Sequence, residues 1–204
     1  VDSSGYSIPS IPDNIGIFDS LFSPQLNNVF KSNNSIASTR LSAYVQKQWI
    51  FSYDYGQWYA NLEIRGQWWD YNKEFVPSPR ASLSFKPNIK QDLLLRFACG
   101  MYAQSPFYKE LRDEKGNVHS DVLSQKSLHF VLSSDWNFTM LERPFKLMSS
   151  IYYKHLWDLN PYYLDNVQVR YMAENNAVGY ARGLDVRLFG EMIKGIDSWI
   201  SFSF

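Results

Sequence analysis

The sequence predicts an all-β protein built from antiparallel strands, and three observations support this prediction. Apolar and polar residues alternate with a period of two in several segments, which is the side-chain period of a β-strand. Aromatic residues, which favour strands, are abundant: the 204 residues include 7 Trp, 14 Tyr and 14 Phe. No segment has the 3.6-residue apolar period of a convincing amphipathic helix. The class is therefore all-β, with enough chain for a substantial sheet.

Composition excludes several functional classes. The 20 basic and 20 acidic residues cancel, so net charge gives no reason to expect nucleic acid as a partner. No window approaches about 18 uninterrupted apolar residues, which argues against a transmembrane helix but not against transmembrane strands of about 9–11 residues. Cys99 is the single cysteine, so the chain forms no internal disulfide.

Residues 1–37 are rich in Ser, Asn and Pro and have little periodicity. We expect an irregular segment or an extracellular loop there. The opening residues "VDSSGYSIPS" lack the basic start and apolar stretch of a signal peptide. We therefore expect either that a leader has been removed or that the chain begins inside a longer protein.

The strand pattern begins at Thr39, and the first four candidates follow in order. "TRLSAYVQKQWIFSY" and "WYANLEIRGQWWDY" flank the tight turn "DYGQ". "NKEFVPSP" interrupts the pattern with two prolines and predicts a longer connection over 72–78. "RASLSFK" and "DLLLRFACGMYA" then alternate on either side of the turn "PNIKQ".

Four further candidates complete a set of eight. "SLHFVLSSDWNFT" and "FKLMSSIYYKHLW" are joined by the short "MLERP", and "GYARGLDVRLFGEM" and "SWISFSF" by "IKGID". Long polar stretches separate the pairs at 104–126 and 158–178. Within the second stretch, "LDNVQVRYMAENN" alternates enough to predict a strand extension above a membrane.

Short and long connections alternate along the chain, which is typical of outer-membrane barrels with short periplasmic turns and longer outer loops. Aromatic residues near strand ends favour the same interpretation, because they form girdles at lipid interfaces. Two alternatives remain open, a secreted or surface sandwich that acts as a binding module and a small closed eight-stranded structural barrel. The direction of the first and last strands indicates a segment, about eight strands, of a larger transmembrane β-barrel over 38–204.

Several phrases resemble TonB-dependent outer-membrane receptors of the Bacteroidetes type. "SAYVQKQW" is similar to a Y-x-Q-x-x-W stretch on one of their barrel strands, although Lys47 stands where the family has an acidic residue. "SPRASLSFKP", "PFYKEL" and "GYARGLDV" are the most specific matches, and the resemblance covers roughly 39–204.

The resemblance implies a barrel of about 22 strands, closed by a plug, in a bacterial outer membrane. Such a receptor takes up a scarce nutrient ligand with energy delivered by TonB. Implied partners are outer-membrane lipid, a plug domain and the remaining strands, TonB acting through that plug, the unidentified ligand and a surface lipoprotein. This chain would supply barrel wall and ligand-contacting outer loops.

The predicted ligand contacts lie in the long loops, where aromatic and arginine side chains commonly anchor binding. They are Tyr108, Arg112, Tyr162, Tyr163 and Arg170. Packing of one loop against another is the alternative role for these side chains.

We expect no metal site, no cofactor and no enzymatic activity. The three histidines, His119, His129 and His155, lack ligand spacing and are predicted to be loop or lumen residues. "RDEKGN" lacks the periodicity of a calcium loop. No serine lies in a nucleophile elbow.

Overall fold

The computed structural model describes residues 6–7, 25–26, 33–165, 168–193 and 195–204. Most of the predicted irregular segment 1–37 lies outside the described residues. The first short strands are β1 Tyr6–Ser7 and β2 Gln25–Leu26. The longer strands that follow are β3 Arg40–Tyr53, β4 Gly56–Trp69, β5 Glu74–Pro87, β6 Asp92–Gln104, β7 Gln125–Met140 and β8 Arg143–Leu159. The last are β9 Tyr162–Asp165, β10 Gln168–Tyr171, β11 Ala177–Ile193 and β12 Ile196–Ser203.

Eight of these strands form one antiparallel sheet in the order β12-β11-β8-β7-β6-β5-β4-β3. Neighbours along the chain are neighbours in the sheet, except that the β9–β10 pair intervenes between β8 and β11. The predicted all-β class and the eight strand candidates are confirmed. Each sheet strand except β12 has 13 or more residues, whereas β12 has 8.

Connections differ at the two ends of the sheet. At one end β3–β4 and β7–β8 are joined by two-residue turns, and the β5–β6 and β11–β12 connections are also short, with four and two residues between the strands. The β7–β8 turn places Leu141 at φ 55° and Glu142 at φ 59°, the conformation of a type I′ hairpin that matches the strand twist. The long connections 105–124 and 160–176 both lie at the opposite end, as predicted. We call these two segments the loop cap.

The predicted connection over 72–78 is wrong, because β5 begins at Glu74 and pairs with β4 along its whole length. Pro77 and Pro79 lie inside this strand. Since the β4 pairing continues through both prolines, their missing N–H groups face β6. The β5–β6 register accordingly runs only from Arg80–Gly100 to Phe85–Leu95. The two prolines therefore end the pairing between β5 and β6 but do not end strand β5.

Register places the two kinds of side chain on opposite faces of the sheet. One face is predominantly apolar from β3 to β12, and the polar side chains within it include Lys47, the Ser134–Ser149 pair and Arg182. One row reads Val45, Ile64, Pro79 across three strands, and another reads Phe97, Leu132, Ile151, Leu184 across four. The polar face carries the predicted mid-strand charges Arg96, His129, Asp135, Lys154, Asp185 and Arg187.

The apolar face is largely uncovered within the described residues. Leu132 is 54% exposed, Ile151 59% and Val45 71%. Leu184, Val186 and Leu188 are half-buried by neighbours on their own face. Among the described residues β3 and β12 each pair on one side only, so the sheet is open and forms no closed barrel. Of the helical segments in the described residues, none has the length and apolarity needed to cross a membrane.

A cluster of buried hydrophobic residues lies where the loop cap meets the end of the sheet. Trp69 at the end of β4 packs with Leu111, Val122 and Ala173 from the two long connections. Leu111 and Val122 are fully enclosed, at 0% and 1% exposure. Burial of four such side chains fixes the loops to each other and to the end of the sheet.

The second long connection contains a separate hairpin. β9 and β10 pair only with each other, with Tyr163 opposite Arg170. The predicted strand extension over "LDNVQVRYMAENN" is therefore wrong in its placement, since this segment leaves the main sheet and forms its own ribbon. The first connection contains a short 3₁₀ helix, Tyr108–Leu111.

Candidate ligand cleft in the loop cap

The 3₁₀ helix forms one wall of a cleft in the loop cap, and its buried side fixes it. Leu111 is enclosed in the cap core. The Glu110 carboxylate accepts a hydrogen bond from the Phe107 backbone N–H at 3.0 Å, and the Asn160 amide donates to the Glu110 carbonyl at 2.8 Å. Glu110 and Leu111 therefore face inward, and Tyr108, Lys109 and Arg112 remain exposed on the cleft side.

Arg40 at the start of β3 ties this helix to the sheet. Its guanidinium donates to the Pro106 carbonyl at 2.7 Å. The same group lies 4.1 Å from the centre of the Trp69 ring and 5.5 Å from that of Tyr108. Stacking on two rings and one hydrogen bond hold the Tyr108 ring at the rim of the sheet.

Asp113 organises the loop that follows the helix. Its carboxylate accepts hydrogen bonds from the backbone N–H groups of Lys115 and Asn117, at 2.9 and 2.8 Å, and from the Asn117 amide at 3.0 Å. The His119 ring lies 3.1 Å away. Burial acts to raise the pKa of Asp113, but these hydrogen bonds outweigh it and lower the pKa to about 2. Asp113 is therefore a charged structural acceptor at neutral pH.

The β9–β10 hairpin forms the opposite wall and contacts the first connection through side chains. The Tyr163 hydroxyl donates to the Glu114 carboxylate at 2.9 Å. The Lys109 ammonium lies 5.7 Å from the centre of the Tyr171 ring. The rings of Tyr162 and Tyr171 are 5.9 Å apart. The two long loops thus meet across the cleft through named side chains.

The cleft has a volume of about 710 Å³, which is within the range of small-molecule sites. Aromatic and charged side chains dominate its lining. They include Tyr108, Lys109, Arg112, Glu114, Arg170 and Tyr171.

The structure brings the five predicted contacts to one region. Tyr108, Arg112 and Arg170 line the cleft directly. Tyr163 reaches it through its hydrogen bond to Glu114, and Tyr162 through its contact with the Tyr171 ring. Their role as ligand contacts stays a prediction, but their proximity is a structural fact.

Sequence reasoning missed other lining residues, among them Lys109 and Tyr171. Lys109 follows Tyr108 directly, and Tyr171 follows Arg170, so each adjoins a predicted contact. The sequence therefore shows a basic or aromatic side chain beside a predicted contact at both positions. The opposing position of Lys109 and Tyr171 was not predictable, because it depends on how two distant loops fold together.

An ion triad braces the sheet just below the cap. The Lys126 ammonium lies 2.7 Å from the Asp158 carboxylate and 3.1 Å from that of Glu74. Glu74 also accepts from the Ser124 N–H at 2.7 Å. Strands β5, β7 and β8 are thereby joined at the ends from which the two long connections leave.

On the polar face a row of side chains crosses four strands. Glu63 pairs with Arg80 at 3.1 Å, and the Arg80 guanidinium lies 4.3 Å from the centre of the Tyr102 ring. That ring stacks on His129 at 4.4 Å. The polar face therefore carries organised contacts rather than isolated charges.

The described residues contain no group of three or more His, Cys, Asp or Glu side chains placed to hold a metal ion. His119 lies in the cap and His129 on the polar face, as predicted. His155 differs from the prediction: it pairs with Leu128 and Tyr180 on the apolar face and stacks on Trp157 at 5.8 Å.

Comparisons with protein-family models, with curated proteins and with solved structures find no match to this chain.

Proposed function

We propose that this chain is a wall segment of a transmembrane β-barrel in a bacterial outer membrane, and that it belongs to a TonB-dependent nutrient receptor. The observation that carries the membrane part is the uncovered, predominantly apolar face, which extends across eight strands. Soluble monomers rarely expose an apolar patch larger than a few hundred square ångströms. Lipid is the partner that this face fits.

Aromatic side chains border the apolar face at both ends and support the same proposal. Near the short turns lie Trp58, Phe85, Phe138 and Phe145, and near the loop cap lie Trp68, Phe75, Tyr153 and Tyr180. Trp58 and Trp68 on β4 are ten residues apart. That separation is about 33 Å along the strand and roughly 25 Å along the normal for a strand tilted 35–45°, the height of an outer-membrane apolar band.

The receptor part of the proposal is supported by the loop cap and by the resemblance of several strand phrases to TonB-dependent receptors. The cap forms a structured cleft at the end of the sheet opposite the short turns. In the proposed receptor the cap faces the cell exterior and contacts the nutrient ligand. The polar face lines the lumen, where a plug domain and TonB would control passage.

Two arginine substitutions, one on each face of the sheet, test the membrane placement. Leu132→Arg places a cation in the middle of the apolar face, and Val131→Arg places the same cation on the polar face of the same strand. We expect Leu132→Arg to lower the free energy of unfolding in lipid bilayers by about 2–4 kcal/mol. Val131→Arg, the matched control, should cost much less. Urea titration of the chain refolded into vesicles gives both values.

Equal costs for the two substitutions would contradict the membrane placement. So would a chain that remains folded and monodisperse without detergent, which would favour the soluble binding module instead. The receptor part is tested separately in cells: uptake of the ligand should stop when TonB is removed and should fall when the five predicted contacts are replaced by alanine.

A further inference from the structure

We infer that the cleft in the loop cap binds a small anionic ligand that also presents a flat ring. This inference names the ligand class of the proposed receptor and so rests on the outer-loop part of the proposed function. Three basic side chains line the cleft: Lys109 and Arg112 on the helix wall, and Arg170 on the hairpin wall. Two acidic side chains, Asp113 and Glu114, line it as well.

The acidic side chains are engaged by donors of the protein rather than grouped around a cation, since three of their four carboxylate oxygens accept hydrogen bonds. Both oxygens of Asp113 accept hydrogen bonds within its own loop. Glu114 accepts from the Tyr163 hydroxyl across the cleft. Lys115 and Asn117 hold Asp113 from the loop side, so its charge serves the fold of the loop.

The basic side chains of the helix wall differ in this respect. Among the described residues no carboxylate lies within ion-pair distance of the Lys109 ammonium or the Arg112 guanidinium. Arg112 offers five N–H donors in a planar fork that matches a carboxylate or a phosphate, and Lys109 offers three more. An anion in the cleft would give these donors charge-assisted hydrogen bonds.

The ring requirement follows from the aromatic part of the lining. Tyr108 is 54% exposed although Arg40 and Trp69 fix its ring. Tyr171 lies on the opposite wall with Lys109 at its face. These two rings beside two cations present a stacking surface next to an anion site. A ligand that has only a charge, or only a ring, would use half of this lining.

Small probes test this inference on the full chain in detergent. We use four probes. Benzoate and phenyl phosphate compare a carboxylate with a phosphate, benzamide is the neutral counterpart of benzoate, and inorganic phosphate lacks the ring of phenyl phosphate. We expect benzoate or phenyl phosphate to bind in the millimolar range, with benzamide and inorganic phosphate at least roughly tenfold weaker. Which of the two anions binds better identifies the acidic group. Saturation-transfer NMR measures all four.

Variants locate the binding. Arg112→Gln and Lys109→Gln should each weaken the anionic probe roughly tenfold, the loss of one charge-assisted hydrogen bond. Lys115→Gln is the matched control: it removes the same charge from the same loop but outside the cleft, and it should leave binding unchanged. Near-UV circular dichroism checks that the cap of each variant is folded.

Benzamide binding as tightly as benzoate, or absence of binding by every probe, would overturn the inference. Equal losses in Lys115→Gln and Arg112→Gln would also overturn it, because they would show a general charge effect. These results are independent of the Leu132→Arg experiment. A failure of the ligand class therefore leaves the membrane placement standing, and the reverse holds as well.

Discussion

Lys47 is the residue that most directly tests what covers the apolar face. It lies midway along β3 and pairs with Leu62, so it projects from the apolar face among aliphatic neighbours. A lysine at the bilayer midplane costs about 2–4 kcal/mol, less where its long side chain can reach the interface. The sequence resemblance singled out this position for its unusual charge, and the structure gives that charge a physical consequence.

We therefore expect Lys47→Leu to stabilise the chain in lipid bilayers by up to about 2–4 kcal/mol. Gln46→Leu on the opposite face is the control and should not stabilise, because Gln46 pairs with Glu63 on the polar face. Urea unfolding in vesicles measures both. Destabilisation by Lys47→Leu would mean that the lysine has a polar partner, and lipid would then not be its surroundings.

Asp113 makes the loop cap sensitive to acid. Its pKa is about 2 in the folded chain and 3.8 for an ordinary aspartate, so the unfolded state binds the proton first as pH falls. The stabilisation from the carboxylate is complete above about pH 4 and is lost as pH falls toward 2. This loss of stability toward low pH is expected for a carboxylate whose charged form is held by hydrogen bonds in the native state.

Pepsin cleavage within 105–124 should accordingly accelerate in the wild-type chain between about pH 4 and pH 2. The Asp113→Asn side chain has no negative charge with which to accept these hydrogen bonds. Pepsin should therefore already cleave the loop of this variant rapidly at the upper end of this pH range. Identical cleavage of the two chains at the upper end would show that the Asp113 charge does not hold the loop.

At the scale of elements, the Lys126 triad is expected to hold the cap to the sheet. Lys126→Met would leave the carboxylates of Glu74 and Asp158 facing each other without a cation. We expect a loss of roughly 1.5–3 kcal/mol in the free energy of unfolding, the range for hydrogen bonds to charged groups. The same substitution at Lys146, whose pair with Asp135 is longer at 3.4 Å and more exposed, should cost under about 1 kcal/mol.

Denaturant titration of both variants measures the difference, and limited proteolysis shows where it acts. Loosening should be confined to the cap and to the adjacent ends of β5, β7 and β8. Equal effects of Lys126→Met and Lys146→Met would mean that the triad adds nothing beyond an ordinary surface pair.

The strands were predictable because their signal is local. Alternation in "SLHFVLSSDWNFT" places Leu128 and Phe130 on one face whatever the rest of the chain does, and register with neighbouring strands only reinforces that choice. Strand β5 shows where local signals fail. Pro77 and Pro79 resemble a chain break, and only the pairing partner shows that their missing donors face β6.

At the scale of the whole molecule, the sheet has two open edges in the described residues, β3 and β12. Amide groups on the central strands β7 and β8 have partners on both sides, and those on the edges do not. In the chain alone in detergent, we expect hydrogen exchange on β3 and β12 to be roughly tenfold or more faster than on β7 and β8. Mass spectrometry of peptic fragments resolves the strands.

Uniform protection would contradict an open sheet and would mean that the edges are covered by one another or by a second copy. In the proposed receptor the remaining strands would pair with both edges, and the difference should disappear. Comparing hydrogen exchange in the chain alone with exchange in the complete receptor therefore tests the larger barrel specifically.

The cleft could be predicted only in part. Aromatic and arginine residues in long polar segments indicated Tyr108 and Arg170 separately, since such residues commonly anchor binding. Their meeting depends on Leu111 and Val122 from the first long connection and Ala173 from the second, which form a core only after folding. No pattern within one segment predicts that these two distant loops pack together.

The short β5–β6 ladder has a mechanical consequence. Above Arg80 and Gly100 no backbone pairing joins these two strands, although each keeps its other neighbour. A pull applied to the cap would meet its weakest backbone resistance along this line. At this end of the sheet, side chains rather than backbone hydrogen bonds hold strands β3–β5 to the rest of the wall: Lys126 joins Glu74 on β5 to Asp158 on β8, and Trp69 on β4 packs with Leu111 in the first long connection.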